Sequence, residues 1–427
     1  MKNIENVRIN LPIILFSILP ISIIIGSSFS LVNIVLLSLC FVFIYFSKSG
    51  IKINYFTPIF LLIILYLYLI FNSLISTDIT SGIYRNFGFI RFILFFLIVN
   101  YIFFVDEKNS YILKIWTTIF FIVLADVYFE RFTGGNIFGF GKLEINGVPQ
   151  PYGQRVISFF RTEPIAGAYL CGFCFMISGY VLNFLKSQKI LKIFGFLVIL
   201  FSLVGIILTG ERSNGLKALI GFSIFISMID YVKFRNKIFI FLTIFTIFFL
   251  AINSSHYVKN RYFDQFYSEI KTKDKRENFL EKSLYMKLYK SGIHVFKNNP
   301  WFGVGNKNYR VETCNAEKNL IYKEYWCLTH PHQVYIEMLS EHGIIGTIII
   351  LSIIFYLAFR LIRKIIDSRN YVQAGCLVFL LINFIPLLPS GAFFNNFNLT
   401  LFMINLSLMY AVNKETNIFS KKNGIDT

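Results

Sequence analysis

Apolar residues along this chain gather in runs of about 16–20 positions separated by short polar segments, the pattern of bilayer-spanning helices. The pattern predicts twelve spans, near 11–27, 31–46, 58–75, 88–105, 111–129, 164–185, 190–208, 215–230, 237–252, 334–362, 374–389 and 397–412. The first two are short, and the tenth is long enough to begin as an extramembrane helix. No small-residue cleavage site separates the first run from the second, so the first reads as a retained span rather than a signal peptide. The fold class expected is an all-α polytopic membrane protein of about 12 transmembrane helices, with one large extracytoplasmic loop between spans nine and ten. Three regions follow: helices one to nine over 1–252, a loop domain over 253–332, and the last three helices over 333–427.

The loop at 253–332 interrupts a chain of otherwise short connections, and loops of such length are usually functional. It holds helix-like stretches such as Glu277 to Phe296 and four of the five histidines, and it reads as a small structured lid. A second polar segment, 130–163, is glycine-rich and ends in Arg161-Thr-Glu-Pro164. No internal repeat is visible, which disfavours a transporter built from inverted halves.

Composition sharpens this picture. The chain is 56% apolar and 15% charged, whereas soluble domains hold about 45–50% and about 25%. A soluble enzyme, a disordered chain and a nucleic-acid module are excluded together. The net charge of +18 therefore points first to positive-inside topology and then to an anionic substrate. With the N-terminus inside, the cytoplasmic segments carry nineteen Lys and Arg against seven in the short outer loops. Both termini are then cytoplasmic, and the 253–332 loop lies outside. Of the six cysteines, four lie in apolar runs, and Cys171-x-x-Cys174 reads as packing more readily than as a redox pair. Cys314 and Cys327 are alone in a polar loop that this topology places in an oxidising compartment, so a disulfide is expected between them.

The densest chemistry is Thr329-His-Pro-His-Gln333 and its continuation to Gly346. Pro331 suits a helix start, which would put His332 in the first turn of the tenth span. A histidine in such a partly dry place stays neutral at pH 7 and accepts a proton. Alternatively, His330 and His332 simply anchor a helix end. The i, i+2 spacing is poor for a metal, which Glu337 and Glu341 would have to complete. Arg91, Arg161 and Arg212 sit near apolar depth on the outer side. They either snorkel to headgroups, with Arg212 pairing Glu211, or grip phosphate oxygens bidentately.

Four stretches carry a resemblance: Ser158-Phe-Phe-Arg-Thr-Glu-Pro164, Leu208-Thr-Gly-Glu-Arg-Ser213, Asn299-Pro-Trp-Phe-Gly-Val-Gly305, and His330 to Gly346. With them the chain resembles the bacterial O-antigen ligase and O-antigen polymerase family of integral-membrane glycan transferases. The resemblance implies an undecaprenyl-pyrophosphate-linked glycan donor, transferred at the periplasmic face of the inner membrane with no cofactor and no required metal. It implies that His332 acts on an acceptor hydroxyl and that arginines hold the pyrophosphate, with Arg212 matching the arginine after the seventh span. Arg161 and Arg91 are further phosphate-binding candidates. Glu163, His330, Arg310 and Arg276 are secondary site candidates, and Lys282 and Lys287 are alternatives to Arg276 for the family's loop arginine. Gln333 stands where the family commonly has Asn. The acceptor expected is a lipid A-core hydroxyl in a ligase, or another lipid-linked repeat unit in a polymerase. Membrane lipids are expected partners and nucleic acid is not. A lipid-linked glycan flippase is the reading from another class, and it would need a polar path through the membrane.

Overall fold

A computed structural model describes residues 2–48, 51–105, 110–141, 144–145, 148–149, 155–161, 163–184, 189–265, 267 and 283–420. The helices are α1 (Lys2–Ser17), α2 (Leu19–Ile25), α3 (Ser27–Ser47), α4 (Thr57–Leu74), α5 (Ile79–Phe87), α6 (Ile90–Val105), α7 (Ser110–Thr133) and α8 (Ala166–Phe184). They continue with α9 (Lys189–Leu208), α10 (Arg212–Ser227), α11 (Phe234–Asn253), α12 (His256–Lys259) and a π-helical turn, Asn260–Asp264. The remainder are α13 (Leu284–Asn298), α14 (Tyr309–Thr313), α15 (Ala316–Ile321), α16 (Val334–Phe359), α17 (Ile362–Ser368), α18 (Tyr371–Ile382) and α19 (Asn396–Ala411). The only strands among the described residues are Glu144–Ile145 and Val148–Pro149, an antiparallel pair.

Seven helices among the described residues are long and apolar enough to cross a membrane: Ser27–Ser47, Thr57–Leu74, Ile79–Val105, Tyr111–Thr133, Ala166–Phe184, Phe234–Asn253 and Val334–Ser368. The other five apolar runs are helical but fall short. The first is broken at Ile18 into α1 and α2. Phe194–Leu208 and Tyr371–Ile382 are shorter apolar helices, and α10 and α19 have 16 residues each. The run expected over 374–389 ends as helix at Ile382. Pro386 and Pro389 lack the N–H groups that would continue it, and the chain turns irregular until the Asn395 side chain caps α19.

Burial follows the same logic. Helix α8 is the most enclosed span, with α18 lying along it and α19 and α6 beyond. The Asn405 amide nitrogen on α19 donates to the Gly172 carbonyl of α8 at 2.9 Å, linking the two helices inside the bundle. Helix α11, by contrast, leaves Phe239, Leu242, Phe245 and Leu250 exposed, as a helix bathed in acyl chains would. Cys171 and Cys174 are both buried in α8 with no disulfide between them.

Helix α16 departs from a plain span. Gly343 has φ +64°, so the helix is interrupted there. Pro300–Gly305 fills the break. Val304 and Gly305 N–H groups donate to the carbonyls of Ser340 and Glu341 (3.0 and 2.9 Å), and Ile344 and Ile345 N–H groups donate to Pro300 and Trp301 (2.8 and 3.1 Å). Backbone freed by a kink at membrane depth must find partners in protein, and here the loop supplies them. A Cβ on Gly343 would lie 2.3 Å from the Trp301 carbonyl. The close approach at this glycine is therefore made by the loop. Beyond this clamp, Cys314 and Cys327 are joined by a disulfide (Cα–Cα 4.5 Å).

Candidate functional site

A cavity of about 830 Å³ opens where four segments meet: the residues before α8, the α9–α10 turn, the π-helical turn with the start of α13, and the bend around His332. A fifth wall is the irregular 387–398 segment. Every one of these is a segment that the charge pattern assigns to the outer side.

The cationic wall is held by buried carboxylates. Glu130 on α7 accepts the Ile157 and Ser158 N–H groups (3.0 and 2.6 Å), and Asp126 accepts the Ser158 hydroxyl at 2.5 Å. Val156 N–H then donates to the Thr209 carbonyl at 2.9 Å. These bonds fix Arg155 beside the α9–α10 turn. Arg212 is the first residue of α10, and both arginines line the cavity. Glu211, at the N-cap position, does not cap α10; its carboxylate accepts the Gly167 N–H at 2.6 Å and the Asn214 amide at 2.7 Å. Burial raises the Glu211 carboxyl to about 7, against the pull of those hydrogen bonds and of Arg155.

Arg261 completes the group from the π-helical turn, a distortion that recurs at functional sites. Its Nε donates to the Gly210 carbonyl (3.3 Å) and its Nη1 to Gln265 (2.7 Å). Gly215 permits this docking, because a Cβ there would lie 2.0 Å from the Tyr262 hydroxyl. Burial first, and then the neighbouring charges of Arg212 and Arg155, hold the Arg261 guanidinium below its usual range. Three like charges are thus gathered where an anion would relieve them.

His332 faces the cavity from the other side. It precedes α16 rather than lying in its first turn as the sequence suggests. The helix begins at Val334 because the Gln333 side chain caps it, accepting the Ile336 N–H at 2.8 Å. His332 itself adopts φ +57°, a left-handed conformation, and its carbonyl accepts the Ser390 N–H at 2.8 Å. The ring packs edge-on to Tyr285 and lies 3.9 Å, centroid to centroid, from His330. Burial lowers the His332 pKa, partly opposed by a backbone hydrogen bond to Ser390. His330 is pushed down to about 4 by burial and by His332. It bonds to the Thr329 hydroxyl at 2.9 Å and does not line the cavity. Among the described residues no three His, Cys, Asp or Glu side chains come together as a metal group.

The structure thus brings His332, Arg212 and Glu163 into one chamber and leaves other candidates outside it. Arg91 bonds to the Gly88 carbonyl (2.6 Å) and the Asn396 side chain (3.0 Å), tying α6 to α19. Arg161 and Arg310 are exposed and lie off the cavity. Lys287 stacks over Trp326 at 5.1 Å, while Arg276 and Lys282 lie outside the described residues. Sequence reasoning missed Arg261 and counted Arg155 only as outer-loop charge. The available signal for Arg261 was its place just beyond the ninth apolar run, where a cation still reaches the membrane boundary.

A bundle of apolar helices holding an arginine-lined chamber at one end makes this a multi-pass membrane protein with a cationic site. Residues 197–351, from α9 to the middle of α16, match the model of the O-antigen ligase family. Three of the four motifs noted in the sequence fall inside the match; Ser158–Pro164 lies before it. No curated protein matches the chain.

Proposed function

We propose that the protein transfers a glycan from a polyprenyl-pyrophosphate donor to an acceptor hydroxyl, without a metal, at the outer face of the bacterial inner membrane. The observation that carries this reading is the shared cavity: His332 on one wall and Arg155, Arg212 and Arg261 on another. Pyrophosphate is already a good leaving group, so the reaction asks for a base and for fixed positive charge. His332, held neutral by burial, takes the proton of the acceptor hydroxyl. The hydroxyl oxygen bonds to the anomeric carbon as the bond from that carbon to the donor phosphate oxygen breaks. The electron pair leaves on the pyrophosphate, where the guanidinium forks and the start of α10 receive it. The proton stays on the imidazole until solvent removes it.

We read the acceptor as a lipid A-core hydroxyl, as in a ligase, with a polymerase joining lipid-linked repeat units as the alternative; the charge pattern supports a loop domain over 253–332 outside the membrane and both termini inside. His332→Ala should lower transfer by about 10²-fold or more while the protein still folds, and His330→Ala should cost less. Near-normal activity in the His332 variant would remove the base assignment. A null strain run on a lipopolysaccharide gel separates the acceptors. Loss of all capped species indicates a ligase, single-repeat survivors a polymerase, and accumulation of inward-facing lipid-linked glycan a flippase.

A further inference from the structure

Lys217 has no part in the mechanism above. It lies five residues beyond Arg212 on α10 and is only 7% exposed, yet it lines the cavity. Among the described residues it has neither a hydrogen-bond nor an ion-pair partner. The titratable group beside it is the Cys171 thiol of α8. Neither acid of the chamber serves it: Glu211 is occupied by Gly167 and Asn214, and Glu163 is exposed.

A cation withdrawn from water without a counter-charge is expensive, and at membrane depth such a residue almost always faces a polar cavity or a partner. A leucine or methionine would fill the same space without that cost. Five residues of helix amount to about 7.5 Å of axial rise, and a side chain on a helix leans toward its N-terminus. The lysine stem therefore carries its ammonium back toward the Arg212 end. This is a charge waiting for an anion that enters beyond the arginines.

We propose that Lys217 is the deep anion ligand of the cavity, holding the phosphate farther from the chamber mouth while the arginines hold the nearer one. The inference rests on the pyrophosphate-donor reading and adds a binding residue to it. It predicts a trade between stability and affinity. The test uses the full-length protein in lipid nanodiscs, with inorganic pyrophosphate and inorganic phosphate as probes, and the Lys217→Met, Lys217→Gln and Lys217→Arg variants. Without ligand, Lys217→Met should melt at or above the Tm of the unaltered protein, because an unpaired buried charge is gone. Pyrophosphate should raise the Tm of the unaltered protein more than phosphate does. It should bind Lys217→Met and Lys217→Gln at least about tenfold more weakly, and Lys217→Arg should restore binding. With lipid-linked donor, KM should rise in the neutral variants more than kcat falls. Equal pyrophosphate affinity in the neutral variants, a loss confined to kcat, or no binding to the unaltered protein would each overturn the assignment. An unaltered protein that transfers no glycan from the lipid-linked donor would instead remove the enzymatic reading and leave the pyrophosphate measurement to judge Lys217.

Discussion

His332 and His330 are separated by one residue, and that residue gives them different surroundings. Pro331 and the left-handed turn at His332 present one ring to the cavity and set the other behind it against Thr329. Burial disfavours the imidazolium in both, so each loses its proton at a lower pH than a free histidine. For a base that works neutral, the sign is direct: activity persists above its pKa and falls as pH drops through it. The acid limb of kcat/KM should therefore lie below 6.5, the ordinary histidine value. The groups facing the His332 ring are His330, Tyr285 and the Ser390 backbone, none of them an acid that would raise it. A limb at or above 6.5 would mean that another group limits the reaction. Arg261 shows a different aspect of the same scale. Its guanidinium is repelled by two neighbours, and the Gly210 and Gln265 acceptors, with the nearby Tyr285 and Tyr262, help keep it in place.

Among the elements, the loop segment is held by two kinds of link. The inner one is the exchange of backbone hydrogen bonds across the Gly343 break. The outer one is the Cys314–Cys327 bridge, which encloses α15 and stands beside a polar cluster. There Glu312 accepts from Lys318 at 2.6 Å and from the Tyr325 hydroxyl at 3.2 Å, and the Tyr309 hydroxyl donates to Ser291 at 2.8 Å. Closing a loop of 13 residues is worth about 3 kcal/mol in the chain-entropy model. Thiol labelling of the denatured, unreduced protein should leave both cysteines unmodified. Cys314→Ser should speed proteolysis between 315 and 326 while the membrane helices stay intact. Unchanged cleavage would reduce the bridge to an ornament of the loop surface.

Over the whole molecule, the apolar runs foretell nearly every long helix, because hydrophobic length is a one-dimensional property that survives folding. What they do not foretell is where helices stop short. The caps at Gln333 and Asn395 and the prolines at 386 and 389 decide that locally, and they turn the end of the eleventh run into a cavity wall. The site divides in the same way. His332 and Arg212 stand in motifs, whereas Arg155, Arg261 and Lys217 become neighbours only when segments more than 40 residues apart converge, and no local spacing records that. The clamp at Gly343 has a consequence of its own. Its four inter-segment amides, those of Val304, Gly305, Ile344 and Ile345, cannot open singly, since freeing the loop strands leaves the helix's own carbonyls and amides bare in a dry place. In hydrogen exchange they should therefore behave as one slow cooperative unit, with a loop segment as protected from solvent deuterium as the span it interrupts. Fast exchange at 304 and 305 alongside slow exchange at 344 and 345 would show that loop and helix breathe separately, and that the polar region moves on a membrane floor it does not help to build.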